Sequence, residues 1–194
     1  DAGYSPPMSV LDREIAKTPF VVVDVETTGL SPRHDRVIEL AMVAVRPGEE
    51  PQVVFDSLLR PDRKVTGTEI HGLTDADVAE APTFAELAPA IASALANRVI
   101  ASHNARFDVS FLAEELAKCG YPLDAPHVCT MLLPRALDPA IPHLSLARAC
   151  EGVTSVIQTA TSTASRAEGD SIATVDAGGN QALIAAAKAA GVKH

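Results

Sequence analysis

The stretch Phe20-Val21-Val22-Val23-Asp24-Val25-Glu26-Thr27-Thr28-Gly29-Leu30 decides how this chain is read. Its first four residues form a short continuous apolar run, mostly β-branched. Such a run predicts a strand buried on both faces. Asp24 and Glu26 stand at the end of that strand, and side chains two apart on a strand share a face. Two carboxylates on one face of an apolar strand repel each other and resist desolvation. A divalent cation would resolve both problems. A solvated strand end, with the carboxylates capping the Thr27-Thr28-Gly29 turn, accounts for the same spacing.

Working outward, Arg36 to Val45 and Gln52 to Leu59 also read as strands, separated by Pro47-Gly48 in the manner of a hairpin. Pro61 to Gly72 reads as loop. Thr74 is a plausible cap for a short helix starting near Asp75. Thr83 caps a longer one with Phe84, Leu87, Ile91 and Leu95 at helical spacing. Val99 to Ser102 reads as a strand, and a helix is expected from about Arg106 to Lys118, ended by Gly120 and Pro122. Val128 to Leu133 fits one more strand or a helix start, and Leu144 to Cys150 a short helix. The order predicts one α/β domain with a mixed sheet. Residues 1–17 read as an N-terminal arm, 18–176 as the domain, and 177–194 as an Ala- and Gly-rich C-terminal segment.

Length and composition narrow the classes. The chain has 194 residues, 47 % hydrophobic and 21 % charged, which argues for a folded domain and against global disorder. No apolar run reaches the roughly 18 residues of a membrane span. The first residues lack a basic region followed by an apolar one, so no secretory leader is expected; a start at Asp1 is expected of a trimmed or partial chain. Cys119, Cys129 and Cys150 are odd in number, far apart and without a CxxC pair, which fits buried thiols in a reducing cytoplasm. The net charge of −9 argues against a protein that grips nucleic acid through a basic surface. It does not exclude an enzyme that meets phosphates through metal ions. Aromatic residues make up 4 %, with no Trp, and every Phe and Tyr lies at or before Tyr121. The C-terminal third therefore has little bulky core material, and residues 153–164, uncharged and rich in hydroxyls, are expected to be mobile.

Two further carboxylates stand out. Asp108 closes Ser102-His103-Asn104-Ala105-Arg106-Phe107-Asp108, after the Val99–Ser102 strand. Asp170 lies in Arg166-Ala167-Glu168-Gly169-Asp170, before an apolar-leaning segment. Each alone reads more readily as a solvated carboxylate in a helix's first turn. In order and separation, however, the set resembles the DEDD superfamily of 3′–5′ exonucleases, which includes the proofreading subunit of bacterial replicative DNA polymerase. Val23 to Leu30 is similar to that family's first motif, Ser102 to Asp108 to its second, and Arg166 to Thr174 to its third. Ile70-His71-Gly72-Leu73-Thr74 is similar to an intermediate element. The resemblance spans Pro19 to Thr174.

The resemblance implies a ribonuclease-H-like α/β fold with a mixed central sheet flanked by helices. It also implies a site in which Asp24, Glu26, Asp108 and Asp170 hold two Mg²⁺ or Mn²⁺ ions. Hard oxygen ligands suit these cations, and a pair of them about 4 Å apart serves both the attacking water and the leaving oxygen. They would also let an acidic chain hold a polyanion. Leu30 and Phe107 carry over as apolar contacts to terminal nucleotides. The backbone at Thr27 and Thr28 carries over as lying near the 3′ end, Asn104 as positioning the second-motif loop, and His71 as a substrate contact. A single-stranded DNA or RNA 3′ end is the implied substrate, and a DNA polymerase or another replication or repair protein the implied partner, with no membrane involved.

The pattern breaks at the general base. The superfamily divides into a branch with His five residues before the last Asp and a branch with Tyr four before it. Here those positions are Ser165 and Arg166. The Arg-Ala-Glu-Gly-Asp string favours the histidine branch (DEDDh), so Ser165 stands where His is expected. A serine hydroxyl is too weakly basic to take a proton from water near neutral pH, and arginine is always protonated. Loss of a positioned base costs about 10²–10⁴-fold in rate. A natural inactive relative, a chain altered at this position to trap substrate, and a base supplied from elsewhere, with His143 the nearest histidine in sequence, all fit. The expectation is an impaired 3′–5′ exonuclease. The rivals are an inactive 3′-end-binding or polymerase-associated module and a phosphodiesterase on short oligonucleotides.

Overall fold

The computed structural model describes residues 17–133 and Ala136. The expectations for the N-terminal arm, Leu144–Cys150, residues 153–164, the C-terminal segment, His143, Ser165 and Asp170 lie outside them.

Five strands and four helices follow in the order β1 (Phe20–Thr27), β2 (Val37–Val45), β3 (Gln52–Leu58), α1 (Thr68–His71), α2 (Asp75–Val78), α3 (Phe84–Leu95), β4 (Val99–Ser102), α4 (Ala105–Lys118) and β5 (His127–Cys129). The sheet order is β3-β2-β1-β4-β5. The first three strands form an antiparallel meander. β4 and β5 run parallel to β1, so the sheet is mixed, as expected of an α/β chain in which helices carry the crossovers. The β2–β3 hairpin turns at Pro47-Gly48, where Glu49 N–H donates to the Arg46 carbonyl and Gly48 takes φ 79°.

β1 differs from the expectation of burial on both faces. Val21, Val23, Val25 and Thr27 are buried, while Phe20, Val22, Asp24 and Glu26 on the other face are half-buried. The apolar run was read without its alternation, and the second face is the one that carries the carboxylates. The strands buried on both faces are β2, from Val37 to Ala44, and the short β4. The inward side of β1 joins Leu40, Met42, Ile100, the α3 residues Ile91 and Leu95, and the α4 residues Phe111, Leu112 and Leu116 in one core. Each such side chain contributes about 1.5–3 kcal/mol relative to exposure. Ile38, Val65, Leu73 and Val78 form a second, smaller cluster under α1 and α2.

Thr74 and Thr83 cap α2 and α3 as the sequence implies, each through a reciprocal capping box, with Asp77 and with Glu86. Several boundaries shift. β2 starts at Val37 and not Arg36, and β3 ends at Leu58 and not Leu59. Pro61–Gly72 is not all loop, because α1 forms one turn between two left-handed glycines, Gly67 and Gly72. A single turn shows no periodicity in sequence. α4 begins at Ala105 and not Arg106. β5 ends at Cys129, and turn geometry follows through Leu132.

Candidate active site

Pairing between β1 and β4 runs only from Phe20↔Val99 to Val22↔Ala101. β4 then ends at Ser102, and Asn104, in the left-handed region at φ 72°, turns the chain into α4. Beyond Val22 this side of β1 is open, and Asp108 fills the gap from the first turn of α4. Its Oδ1 accepts the Val25 amide at 3.2 Å, and its Oδ2 accepts the Ser102 hydroxyl. Asp108 is 4 % exposed. Three of the four expected carboxylates are thus brought to one end of β1: Asp24 and Glu26 on one face, Asp108 at the strand's edge. Glu39, missed in the sequence, sits directly across from Glu26 in the β1–β2 ladder. Only the β1–β2 register brings it there, and that register is a tertiary fact the sequence does not carry.

The electrostatics follow from this crowding. Burial pushes the Asp24 carboxyl up to about 7, with the Asp108 and Glu26 charges adding to the rise. Glu26 is also raised, first by burial; the positive charge of His71 in its protonated form would oppose the rise, and Asp108 adds to it. Asp108 is raised by burial, against the pull of its hydrogen bonds from Ser102 and backbone amides. No hydrogen bond or ion pair compensates the Asp24 and Glu26 carboxylates among the described residues. Hard, anionic oxygen donors of this kind fit Mg²⁺ or Mn²⁺. No three His, Cys, Asp or Glu side chains among the described residues converge into a metal-binding cluster by themselves.

The remaining expected residues divide by environment. Thr27 and Thr28 are buried and spend their hydroxyls internally. Thr27 donates to the Gly29 carbonyl at 2.6 Å, and Thr28 bonds Asp35 at 3.3 Å and accepts from the Arg36 amide at 3.0 Å. Asp35 also accepts from the Ser31 amide at 2.9 Å and from Arg63 at 2.7 Å. This loop therefore presents backbone and the Leu30 side chain, which is 83 % exposed. Leu30, Asn104, Phe107 and Ser110 line one cleft of about 700 Å³. Phe107 serves both core and cleft, because its ring also packs on Phe111 with centroids 4.9 Å apart. Asn104 makes no side-chain cap, so its contribution to the second-motif loop is its left-handed backbone.

His71 is held at both nitrogens. Nδ1 accepts the Leu73 amide at 3.1 Å, and Nε2 lies 3.0 Å from the Thr66 carbonyl. An amide can only donate and a carbonyl only accept, so the proton is on Nε2 and the ring is neutral in this arrangement.

An α/β domain with acidic side chains gathered where its central strand ends, beside a cleft of mixed polar and apolar lining, is an arrangement that suits a nuclease. The comparisons agree. The RNase_T family profile, described as Exonuclease, matches residues 21–174. The chain belongs to this exonuclease family, within the DEDD superfamily of 3′–5′ exonucleases. It is similar to DNA polymerase III PolC-type of Oceanobacillus iheyensis, 34 % identical over 154 residues, covering 78 % of this chain and 11 % of that protein. It is also similar to a DNA polymerase III subunit epsilon-like protein of Rhodobacter capsulatus, 36 % identical over 129 residues, covering 64 % of this chain and 18 % of that protein. The chain thus spans less than a fifth of either relative. Among solved structures, apo exonuclease I matches with TM-score 0.54 and 22 % identity over 64 % of this chain and 32 % of that one, which supports the ribonuclease-H-like fold. No helix among the described residues is long and apolar enough to cross a membrane.

Proposed function

We propose that this domain, residues 18–176, is a 3′–5′ exonuclease that hydrolyses phosphodiester bonds at single-stranded DNA or RNA 3′ ends, and that Ser165 impairs it. The observation that carries the reading is the Asp24–Glu26 pair at the end of β1, without a hydrogen bond or ion pair among the described residues, with Asp108 fixed beside it through the Val25 amide. Asp24, Glu26, Asp108 and Asp170 would hold two Mg²⁺ or Mn²⁺ ions, which supply Lewis-acid activation of water and charge stabilisation of the leaving 3′ oxygen. The protein's own groups do the rest. Leu30 and Phe107 flank the terminal bases, the Thr27–Thr28 backbone approaches the 3′ end, and Asn104 holds the second-motif loop open to the cleft. His71, held between the Leu73 amide and the Thr66 carbonyl, presents its ring near Glu26. At Ser165 no strong base takes the water's proton, so turnover is slow.

The polymerase III relatives support a role beside a DNA polymerase; the cytoplasm is the compartment proposed for it. Ser165 also favours a second reading, a module that binds metal and a 3′ end without cleaving. Incubation of 5′-labelled single strands with Mg²⁺ or Mn²⁺ tests the leading one. It predicts slow shortening from the 3′ end, abolished by EDTA. Internal cleavage, or shortening that EDTA leaves intact, would contradict it.

A further inference from the structure

We propose that Ser102 is a positioning residue for this site: braced by Thr130, it fixes the orientation of the Asp108 carboxylate relative to Asp24 and Glu26. The proposal rests on the metal-holding reading above and deepens it. Ser102 is 3 % exposed and closes β4, where it pairs with Cys129 of β5. Its carbonyl accepts from the Thr130 amide at 3.0 Å and from the Thr130 hydroxyl at 3.4 Å. Its own hydroxyl donates to Asp108 Oδ2. One residue thus takes two bonds through its backbone from Thr130, just past the end of β5, and gives one to Asp108 through its side chain.

The brace extends to the neighbouring motif residue, since the Thr130 hydroxyl also lies 3.1 Å from His103 Nδ1. Thr130 so ties down both Ser102 and His103, on the chain that leads into α4.

A carboxylate held at one oxygen can still turn about its last side-chain bond. Asp108 is held at both, by the Val25 amide on Oδ1 and by Ser102 on Oδ2. These two donors fix the plane of the group while each oxygen keeps a lone pair for another partner. Alanine at position 102 removes one donor and leaves Oδ2 buried without a protein partner, free to pull the carboxylate off the Val25 amide. Groups that orient a ligand without touching the metal typically change affinity by about 10–100-fold when removed.

Two measurements on the full chain test this, neither needing turnover. Mn²⁺ titration by calorimetry should show Ser102→Ala binding about 10–100-fold more weakly than the native chain, with Ser102→Thr, which keeps the hydroxyl, closer to native. In EDTA, amide exchange read by NMR should quicken at Val25 in Ser102→Ala, while β1 amides bonded to β2 keep their protection. Native-like Mn²⁺ affinity with unchanged Val25 exchange in Ser102→Ala would overturn the proposal alone. Equal losses in Ser102→Ala and Ser102→Thr, both folded, would overturn the role of the hydroxyl. A native chain that binds no Mn²⁺ would overturn the metal-holding reading and this proposal with it.

Discussion

The Val25 amide donates to Asp108 Oδ1 at 3.2 Å, so the residue between the two β1 carboxylates is the one that holds the third. The bond exists because β4 stops pairing with β1 after Val22↔Ala101, which leaves room for α4 to present a side chain where a strand would otherwise lie. A truncated parallel strand is what builds the acidic site.

That crowding sets a pH dependence. Asp24 titrates near 7 in the folded chain against an ordinary 3.8. Below its ordinary value the group is protonated in both states, and its contribution to stability is whole. As pH rises toward 7 the unfolded chain gives up its proton while the folded chain keeps it, so stability is lost through that window and levels off above it. Glu26 and Asp108, both raised, act in the same direction. In EDTA, thermal unfolding should show the native chain losing stability between about pH 4 and 7, and Asp24→Asn losing less. Saturating Mn²⁺ should weaken the dependence, since it favours the ionised form. Parallel profiles for the native chain and Asp24→Asn in EDTA would contradict this.

Gly29 is required by proximity. A Cβ there would lie 2.5 Å from Asp35 Oδ2 and 2.8 Å from Oδ1. Asp35 cannot simply swing away, because the Ser31 amide, Thr28 and Arg63 all hold it. Gly29→Ala should destabilise the chain by about 1–3 kcal/mol in chemical denaturation. Replacing Asp35 by Ala as well should make the Gly29 substitution cost less than it does alone; additive losses would contradict the clash.

Leu30 is assigned a binding role, not a packing one. At 83 % exposure, Leu30→Ser should leave unfolding within about 0.5 kcal/mol of native. Binding of a single-stranded oligonucleotide, read by fluorescence anisotropy in Mg²⁺, should weaken. Unchanged oligonucleotide affinity would remove Leu30 from the cleft's function.

The sequence was informative where chemistry and local geometry coincide. The β1 run, the Thr74 and Thr83 caps and the Asp24–Glu26 spacing each depend on neighbours within a few positions, and each is found in the structure. α1 was hidden because one turn between two glycines has no period. The half-buried second face of β1 was hidden because a four-residue apolar run looks alike whether one or both faces are covered. Ser102, Glu39 and the Val25 amide were invisible as site residues for another reason. Their roles depend on where β4 ends and on the β1–β2 register, which are tertiary facts. The charge of −9 reads differently once Asp24, Glu26 and Asp108 are seen together: on the proposed function, part of it would be a cradle for cations and not a barrier to phosphate.

The most direct test of the account is the rate at which the full chain, beside Ser165→His, releases mononucleotides from a 3′-labelled single strand in Mg²⁺ and in EDTA. The account predicts slow release by the native chain, about 10²–10⁴-fold faster release by Ser165→His, and none from either in EDTA. Equal rates for the two chains, or release that persists in EDTA, would contradict it.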